Sequence, residues 1–576
     1  MSEALTPSLA ASTAPLLILQ RSDITYLAEN PGWAEGRRLI CVEPGLLDEA
    51  VSQGLKSVAF LPLDCGPDFQ ARACTEAITL ATLVDLRLTA ERQRIWPGTT
   101  QSGWDVGLFY LALQRLIIAR QLGESIAKTL SEPNIGVLRP RAAQQMYFDS
   151  FLVTDLVISQ ASDRMKVVGD YNQVKWTQPD AYDTVFDGAE VHQAMAGGLV
   201  SLVSHVPTCS YDVPWMSQEV TRKHRYTLDL PSPLAIWDVP LHRGSLRRHP
   251  LERAPKKHID SACEYANRAW SVLEEVLAPL LVNPENRKAQ LQAWSKRCAW
   301  QALNYQALRQ GLGGQRPDFL LSDQDLGLNG PLFSLADELG SVITVIPHSG
   351  HPSMVLPHSR RVSVVERGGF GTRARTVLGQ AVKVCTVKRT EAVHRDRRQS
   401  SGMRQVCLLL NAMHTEGLSY VDAGALSQFY QALKSMCIAQ GVELILRLKP
   451  SSPALALLTS LLKCNPNQLA QDARRPLEEL AQSSDLCIAF GEPTTGVAPF
   501  LEAGTLVVQV TPQAWPVDYL MNLPLIQDGV ISMRSVEDGL EYISQLMRES
   551  PVFQQACQEQ KAGFSLRLSQ AREHLL

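Results

Sequence analysis

The 576-residue sequence lacks the features that most directly declare a partner. It has no charge excess: 55 Lys and Arg stand against 58 Asp and Glu, a formal net charge of −3, so nothing global attracts nucleic acid or a strongly acidic partner. Any anion site must be local. It has no Cys-x-x-Cys pair either. The 12 cysteines are scattered from Cys41 to Cys557, and the closest two, Cys65 and Cys74, lack partners at zinc-finger spacing. Reduced thiols in an intracellular protein are the expectation. Long apolar runs are missing: the most apolar helical stretch, VGLFYLALQRLIIARQL from Val106, is interrupted by Arg115 and Arg120 before it could span a bilayer. The opening MSEALTPSLAASTAP has no positive n-region and no apolar core, so residues 1–14 are expected to be a disordered tail. A cytoplasmic protein follows, soluble or resting on the inner face of a membrane. No repeat period is visible, which excludes solenoids and propellers.

What is present is alternation. Short apolar runs at Leu16–Leu19, Leu39–Val42, Ser57–Leu61, Ile135–Leu138 and Lys166–Val168 are separated by helical segments, the longest from about Asp68 to Leu88 and from about Trp104 to Leu130. That is the pattern of a parallel sheet with helices on its faces. WPGTT, Trp96–Thr100, breaks the two long helices apart. Residues 171–258 differ: they are aromatic and proline-rich, with little periodicity, and end in the basic string Pro240–His258. An insertion is expected there, its basic end a solvated face or a contact for phosphate or anionic headgroups, and hence for peripheral membrane association.

Two helices near Ile259–Leu281 and Arg287–Gln310 lead back to apolar runs at Asp318–Ser322 and Ser341–Ile346, flanking a helix at Pro331–Gly340. The polar stretch Lys388–Arg404 then reads as a hinge between domains. Beyond it, Val406–Asn411, Glu443–Leu448, Leu486–Phe490 and Leu506–Val510 are strands of a second unit, running from 405 to 550 and followed by a C-terminal helix over 551–576. The chain is too long for one ordinary core. The expected fold is α/β, with two doubly wound lobes (15–387 and 405–550) facing each other across a cleft.

Three segments that follow strands point into such a cleft, because ligands of open parallel sheets collect at the carboxyl ends of the strands. In GEPTTGVAPFLEAG, Gly491–Gly504, the small residues Thr494, Thr495 and Gly496 open a helix and offer N–H groups and hydroxyls to a phosphate, with Glu502 placed to accept from ribose hydroxyls. An ordinary capped helix with a solvated Glu502 is the plain alternative. In LRLKPSSP, Leu446–Pro453, Arg447 and Lys449 alternate at a strand end and can address one diphosphate, with Ser451 and Ser452 as further donors, or simply solvate. In VITVIPHSGHPS, Val342–Ser353, a buried strand ends in His348, Gly350 and His351, which suits phosphate binding or proton exchange. With His358 added, a metal site would still lack a carboxylate or cysteine at suitable spacing.

Taken together, PHSG (Pro347–Gly350), RLKP (Arg447–Pro450) and DLCIAFGEPTTGVAPFLEAGTLVVQV (Asp485–Val510) resemble the motifs of GT-B glycosyltransferases of bacterial surface-polysaccharide synthesis. The group includes CDP-glycerol glycerophosphotransferases, polysialyltransferases and capsular Kdo transferases, and shares its fold with UDP-N-acetylglucosamine 2-epimerases. The resemblance implies that the C-terminal lobe holds a nucleotide-activated sugar and the N-terminal lobe a glycan, lipid-linked or protein acceptor. Two departures stand out. The usual histidine of R-x-H-P is Lys449, which keeps a charge for phosphate but is a poor proton shuttle near neutral pH. There is no E-x7-E spacing, since Glu492 and Glu502 are ten apart, which favours inversion over retention.

Transfer needs a base for the acceptor hydroxyl and positive charge for the leaving phosphate. His348 is the first candidate base, with Asp323, in LSDQDLGLNG, the first acidic one and His351 the neighbour to be tested. Arg447, Lys449, Ser451, Thr494, Thr495 and Gly496 would manage the phosphates without a metal or other cofactor. A sugar-nucleotide epimerase and a catalytically silent binding protein on the same fold are the competing readings.

Overall fold

In the computed structural model, parallel strands form wherever apolar residues run continuously, since such strands are buried on both faces. The structure describes residues 14–63, 65–99, 103–130, 134–141, 151–162, 164–172, 200–201, 250–251, 256–312, 319–322, 330–346, 356–367, 373–387, 402–410, 422–448, 455–512, 514 and 524–573.

The first unit runs β1 (Leu16–Ile18), α1 (Arg21–Glu29), β2 (Leu39–Cys41), α2 (Pro44–Ser52), β3 (Val58–Phe60), α3 (Phe69–Ile95), α4 (Val106–Thr129), β4 (Ile135–Arg141), α5 (Phe151–Gln160) and β5 (Met165–Asn172). Its five strands lie in the order β3-β2-β1-β4-β5, all parallel. After a two-residue antiparallel pair, β6 (Val200–Ser201) with β7 (Pro250–Leu251), come the long helices α6 (Lys256–Leu277) and α7 (Pro284–Leu312). The second unit is β8 (Phe319–Ser322), α8 (Gly330–Leu339), β9 (Ile343–Ile346), β10 (Val362–Arg367) and β11 (Lys383–Val387). These four strands form a separate parallel sheet, β11-β10-β9-β8.

The third unit contains β12 (Gln405–Leu410), α9 (Ala423–Gln440), β13 (Glu443–Arg447), α10 (Leu455–Leu462), α11 (Pro466–Arg474), α12 (Leu477–Ser483), β14 (Leu486–Phe490), α13 (Ala498–Glu502), β15 (Leu506–Val510), α14 (Pro524–Gln527), β16 (Ser532–Arg534), α15 (Val536–Arg548) and α16 (Ser550–Glu573). Its parallel sheet has the order β13-β12-β14-β15-β16. Local chemistry sets the helix ends: Asp422 accepts from Ala425 N at 2.8 Å to start α9, and Gly441, at φ +64°, stops it.

The fold is therefore mixed α/β with three parallel sheets among the described residues, where two lobes were expected. The strands of 319–387 do not rejoin the first sheet; among the described residues they pair only with each other. Tyr171, expected to open the irregular stretch, is instead in β5. The tail 1–13, nearly all of the insertion and linker residues 388–401 lie outside the described residues.

The first sheet is the middle of the molecule. Side chains alternate along β1: Leu17 joins a core made with α3 to α8 and the second sheet, including Phe109, Tyr265, Phe333 and Val345. Leu16 and Ile18 face the other way, into a core with Leu46 of α2 that continues through Leu458 and Phe429 to Ile488 of the third sheet. The third sheet's remaining face is covered by α13 and by α16, whose Phe564 is buried. Gln560 of α16 extends that sheet, its amide accepting from Val507 N at 2.8 Å and donating to the Val507 and Val530 carbonyls at 2.9 Å each. No helix of the described residues is long and apolar enough to cross a membrane. Ten described cysteines are free, including Cys407 and Cys487, which sit opposite each other on β12 and β14.

Candidate functional site at the carboxyl edge of the C-terminal sheet

In the third sheet β12 is followed by β13 on one side and β14 on the other, so the connections leave its carboxyl edge in opposite directions between β12 and β14. Such a switch point opens a crevice. The turn after β14 fills one side of it. Gly491, at φ +90°, turns the chain away from the strand while its N–H donates to the Val510 carbonyl at 2.9 Å and its own carbonyl accepts from Gln509 Nε2 at 2.9 Å. Pro493 is buried. Thr494 accepts from Gly496 N at 3.2 Å and so caps the 3₁₀ turn Thr495–Val497, which leads into α13. The capping oxygen is an acceptor here, and its O–H is a donor. A side chain at Gly496 would meet Leu409 of β12 at 3.4 Å, which places this glycine over the crevice.

The structure separates Glu502 from this turn. It is the last residue of α13, and seven residues of helical rise from Thr495 put it about 10 Å along the axis. Because α13 runs back from the carboxyl edge, and β15 starts four residues later at Leu506, Glu502 belongs to the amino edge. Arg447 also has another task. It is 5% exposed, and its Nη1 donates at 2.6 Å to the carbonyl of Ala473 in the last turn of α11, where a cation suits the helix dipole. Burial draws its pKa down from the ordinary guanidinium value. The alternation Arg447/Lys449 at a strand end could not reveal which of the two turns inward to a helix terminus. Lys449, Ser451, Asp323, His348 and His351 lie outside the described residues. The strands that Asp323 and His348 follow in sequence, β8 and β9, end side by side, with Ser322 opposite Ile346.

The carboxyl edge of the third sheet is tied to a helix start of the first unit. Ala514 N donates to the Pro67 carbonyl, just before α3, at 2.6 Å. The start of α8 is pressed against the segment just before α4: a Cβ on Gly330 would lie 2.3 Å from Trp104 Cα, and Trp104 Nε1 donates to Ser334 Oγ at 2.6 Å. One turn into α3 and α4 come Cys74 and Tyr110, whose hydroxyl is bonded to the Cys74 sulfur. Burial pushes the thiol up to about 11, and the nearby Glu492 carboxylate pushes it the same way. The Tyr110 hydroxyl is held well above its ordinary value by burial, then by Cys74 and Glu492. Glu492 thus lies near enough to these two side chains for its charge to act on both. Nothing in composition or spacing marked Cys74 or Tyr110, and Glu492 had only its place after a strand to signal it.

The first sheet's own switch point, between β1 and β4, is occupied by the protein itself. Asp23 accepts from Leu19 N at 2.9 Å, Gln20 N at 3.2 Å and the Tyr171 hydroxyl at 2.6 Å, filling the helix start where an anion would otherwise sit. Burial raises its pKa to about 6 despite these bonds. His358 Nδ1 is 3.3 Å from Thr376 Oγ1, and no group of three metal-ligating side chains occurs among the described residues. No protein-family model matches this chain, and no curated protein is similar to it.

Proposed function

We propose that this protein is a glycosyltransferase of the GT-B kind, transferring a sugar or polyol phosphate from a nucleotide-activated donor to a bacterial glycan or glycoconjugate. The observation that carries the reading is the Gly491–Gly496 turn: a rigid, small-residue turn at the switch point of a parallel sheet, set against helix starts of another α/β unit. In this reading the backbone N–H groups and hydroxyls of Thr494, Thr495 and Gly496 hold the donor phosphates. With Arg447 committed to α11, Lys449 is the cation for the leaving group, and Ser451 a further donor. His348 takes the acceptor proton, with Asp323 and His351 as the other candidates on the same loops. Positive charge from the turn and Lys449 serves a metal-independent, inverting displacement.

Calorimetric titration with CMP, CDP, UDP and GDP tests it, followed by donor hydrolysis. One nucleotide should bind, and Thr495→Val, which leaves the Thr494 cap in place, should raise its Kd by about tenfold or more, the loss of a hydrogen bond to a charged group. A folded protein that binds none of the four ends the reading. Turnover without an acceptor to an epimerised sugar would make it an epimerase; binding without any turnover would make it a silent binding protein.

A further inference from the structure

α16 is held to the molecule differently from α9 of the same unit. α9, with 18 residues, buries Ala423, Leu426, Phe429, Tyr430, Leu433 and Cys437. α16 has 24 residues, and among its described side chains only Gln560 and Phe564 are buried. Its first half leans on the core shared with the first sheet through Val552, Phe553, Ala556 and Cys557, all half-buried. Its second half lies on the third sheet through Phe564 and the half-buried Leu568, and the helix also packs against β11 of the second unit. The strongest hold there is polar. The pairing of β15 with β16 begins at Val508, and one residue earlier Gln560 stands in for a strand, accepting from Val507 N at 2.8 Å and donating to the Val507 and Val530 carbonyls at 2.9 Å each. Arg567 pairs with Asp528, which also lies 3.7 Å from Arg373 of the second unit.

Bonds of this kind part readily, because the Gln560 amide and the backbone groups it serves all find water partners once separated. What remains is the burial of Phe564 and part of Leu568, and a segment with so few buried apolar side chains opens before the fold around it. Gly563 adds to this. A Cβ there would press on Val530 Cγ2 at 3.1 Å, so glycine lets the helix come close while lowering its intrinsic stability. We propose that α16 from Gln560 onward is a strap that fastens the second unit to the third and opens on its own, leaving both parallel sheets folded. Once released, it uncovers the Val507 edge of β15 and withdraws from β11. The inference holds whatever the Gly491–Gly496 turn binds.

Amide hydrogen exchange of the full-length protein, read by peptide mass spectrometry, tests it. In the wild type, peptides within 560–573 should be protected about tenfold less, or lower still, than those of β12 and β14. Gln560→Ala removes three hydrogen bonds at once and should lower the protection of 560–573 by about a further tenfold. It should lower that of β11 and of β15 at Val507 as well, while β12 and β14 keep their wild-type values. Arg567→Ala, which removes the pair with Asp528, should act in the same direction and more weakly. Protection of 560–573 equal to that of β12 and β14 in the wild type would overturn the strap and make α16 part of the cooperative core, and this arm decides the matter even if Gln560→Ala does not fold. A Gln560→Ala protein whose β11 exchanges as in the wild type would overturn the link to the second unit. Loss of protection in β12 and β14 along with α16 would show that the helix does not open on its own.

Discussion

Arg92 and Asp105 are both fully buried, and they are not alone. Arg92 Nη1 lies 3.1 Å from Asp105 Oδ2 and 3.3 Å from the Tyr265 hydroxyl, Nη2 donates to Thr89 Oγ1 at 2.7 Å, and the guanidinium stacks 4.1 Å above the Trp104 ring. A second buried carboxylate, Asp85, accepts from Asp105 N at 2.9 Å. Two acids therefore share one cation, with Cys298 and Tyr265 the other titratable neighbours. Burial pushes Asp105 up to about 7 and raises Asp85 as well, against the pull of Arg92. A raised carboxyl in the folded state means that folding takes up a proton. Its contribution to stability is complete below the unfolded carboxyl pKa of about 4 and is lost as pH climbs through the folded value. Asp23 and Glu338, raised by burial to about 6 and about 7, act in the same direction. Urea unfolding at intervals between pH 5 and 8 should therefore give falling stability, and Asp105→Asn, which cannot ionise, should flatten that fall relative to wild type. Parallel profiles for the two proteins would mean that Asp105 is ionised throughout.

At the scale of elements, the least local contact is the most informative. Asp48 of α2 accepts from Leu457 N, in the first turn of α10, at 3.0 Å and in a buried setting, across 409 residues of sequence. It supplies from another unit the cap that a helix start needs. Leu46, Leu47 and Ala50 pack around it with Leu457, Leu458 and Leu462, all buried. Asp48→Ala should cost about 0.5–2 kcal/mol, the usual worth of a cap, and Asp48→Asn, which keeps an acceptor, should recover most of it in urea unfolding. Equal stability of all three proteins would mean the cap contributes nothing. No sequence pattern announces such a pair. Strands such as LCIAF and LVVQV were legible because burial on both faces leaves an unbroken apolar run. β10 was not, because Ser363 interrupts it; that serine is buried and satisfied by the Ile343 carbonyl at 3.2 Å. β16 is three half-buried residues at a sheet edge, too short to leave a pattern. The Gly491–Gly496 turn could be found from strand followed by small residues, whereas spacing says nothing about the direction in which α13 carries its last residue, Glu502.

For the molecule as a whole, the expectation of two lobes swinging about Lys388–Arg404 meets a different arrangement. The second core runs without interruption from the first sheet through α2 and α10 into the third. The carboxyl edges of those two units are tied by Ala514 and Pro67, and α16, besides covering the third sheet, packs against β11 of the second. Asp528, beside α14, pairs with Arg567 of α16 and lies 3.7 Å from Arg373 in the second unit, though exposure leaves the latter pair little weight. What joins the units is apolar burial, which a cut in the chain does not remove. The polar composition of Lys388–Arg404 still makes it the segment where limited proteolysis should act first. The two fragments should then stay together: they should co-elute at the size of the intact protein in gel filtration and unfold in one thermal transition close to that of the uncut chain. The reason is quantitative, since burial of a single Leu side chain is worth about 1.5–3 kcal/mol and at least six apolar side chains of α2 and α10 are involved. Fragments that separate under native conditions would show that the linker, and not the shared core, holds the units together, and would restore a hinge as the basis for opening the crevice.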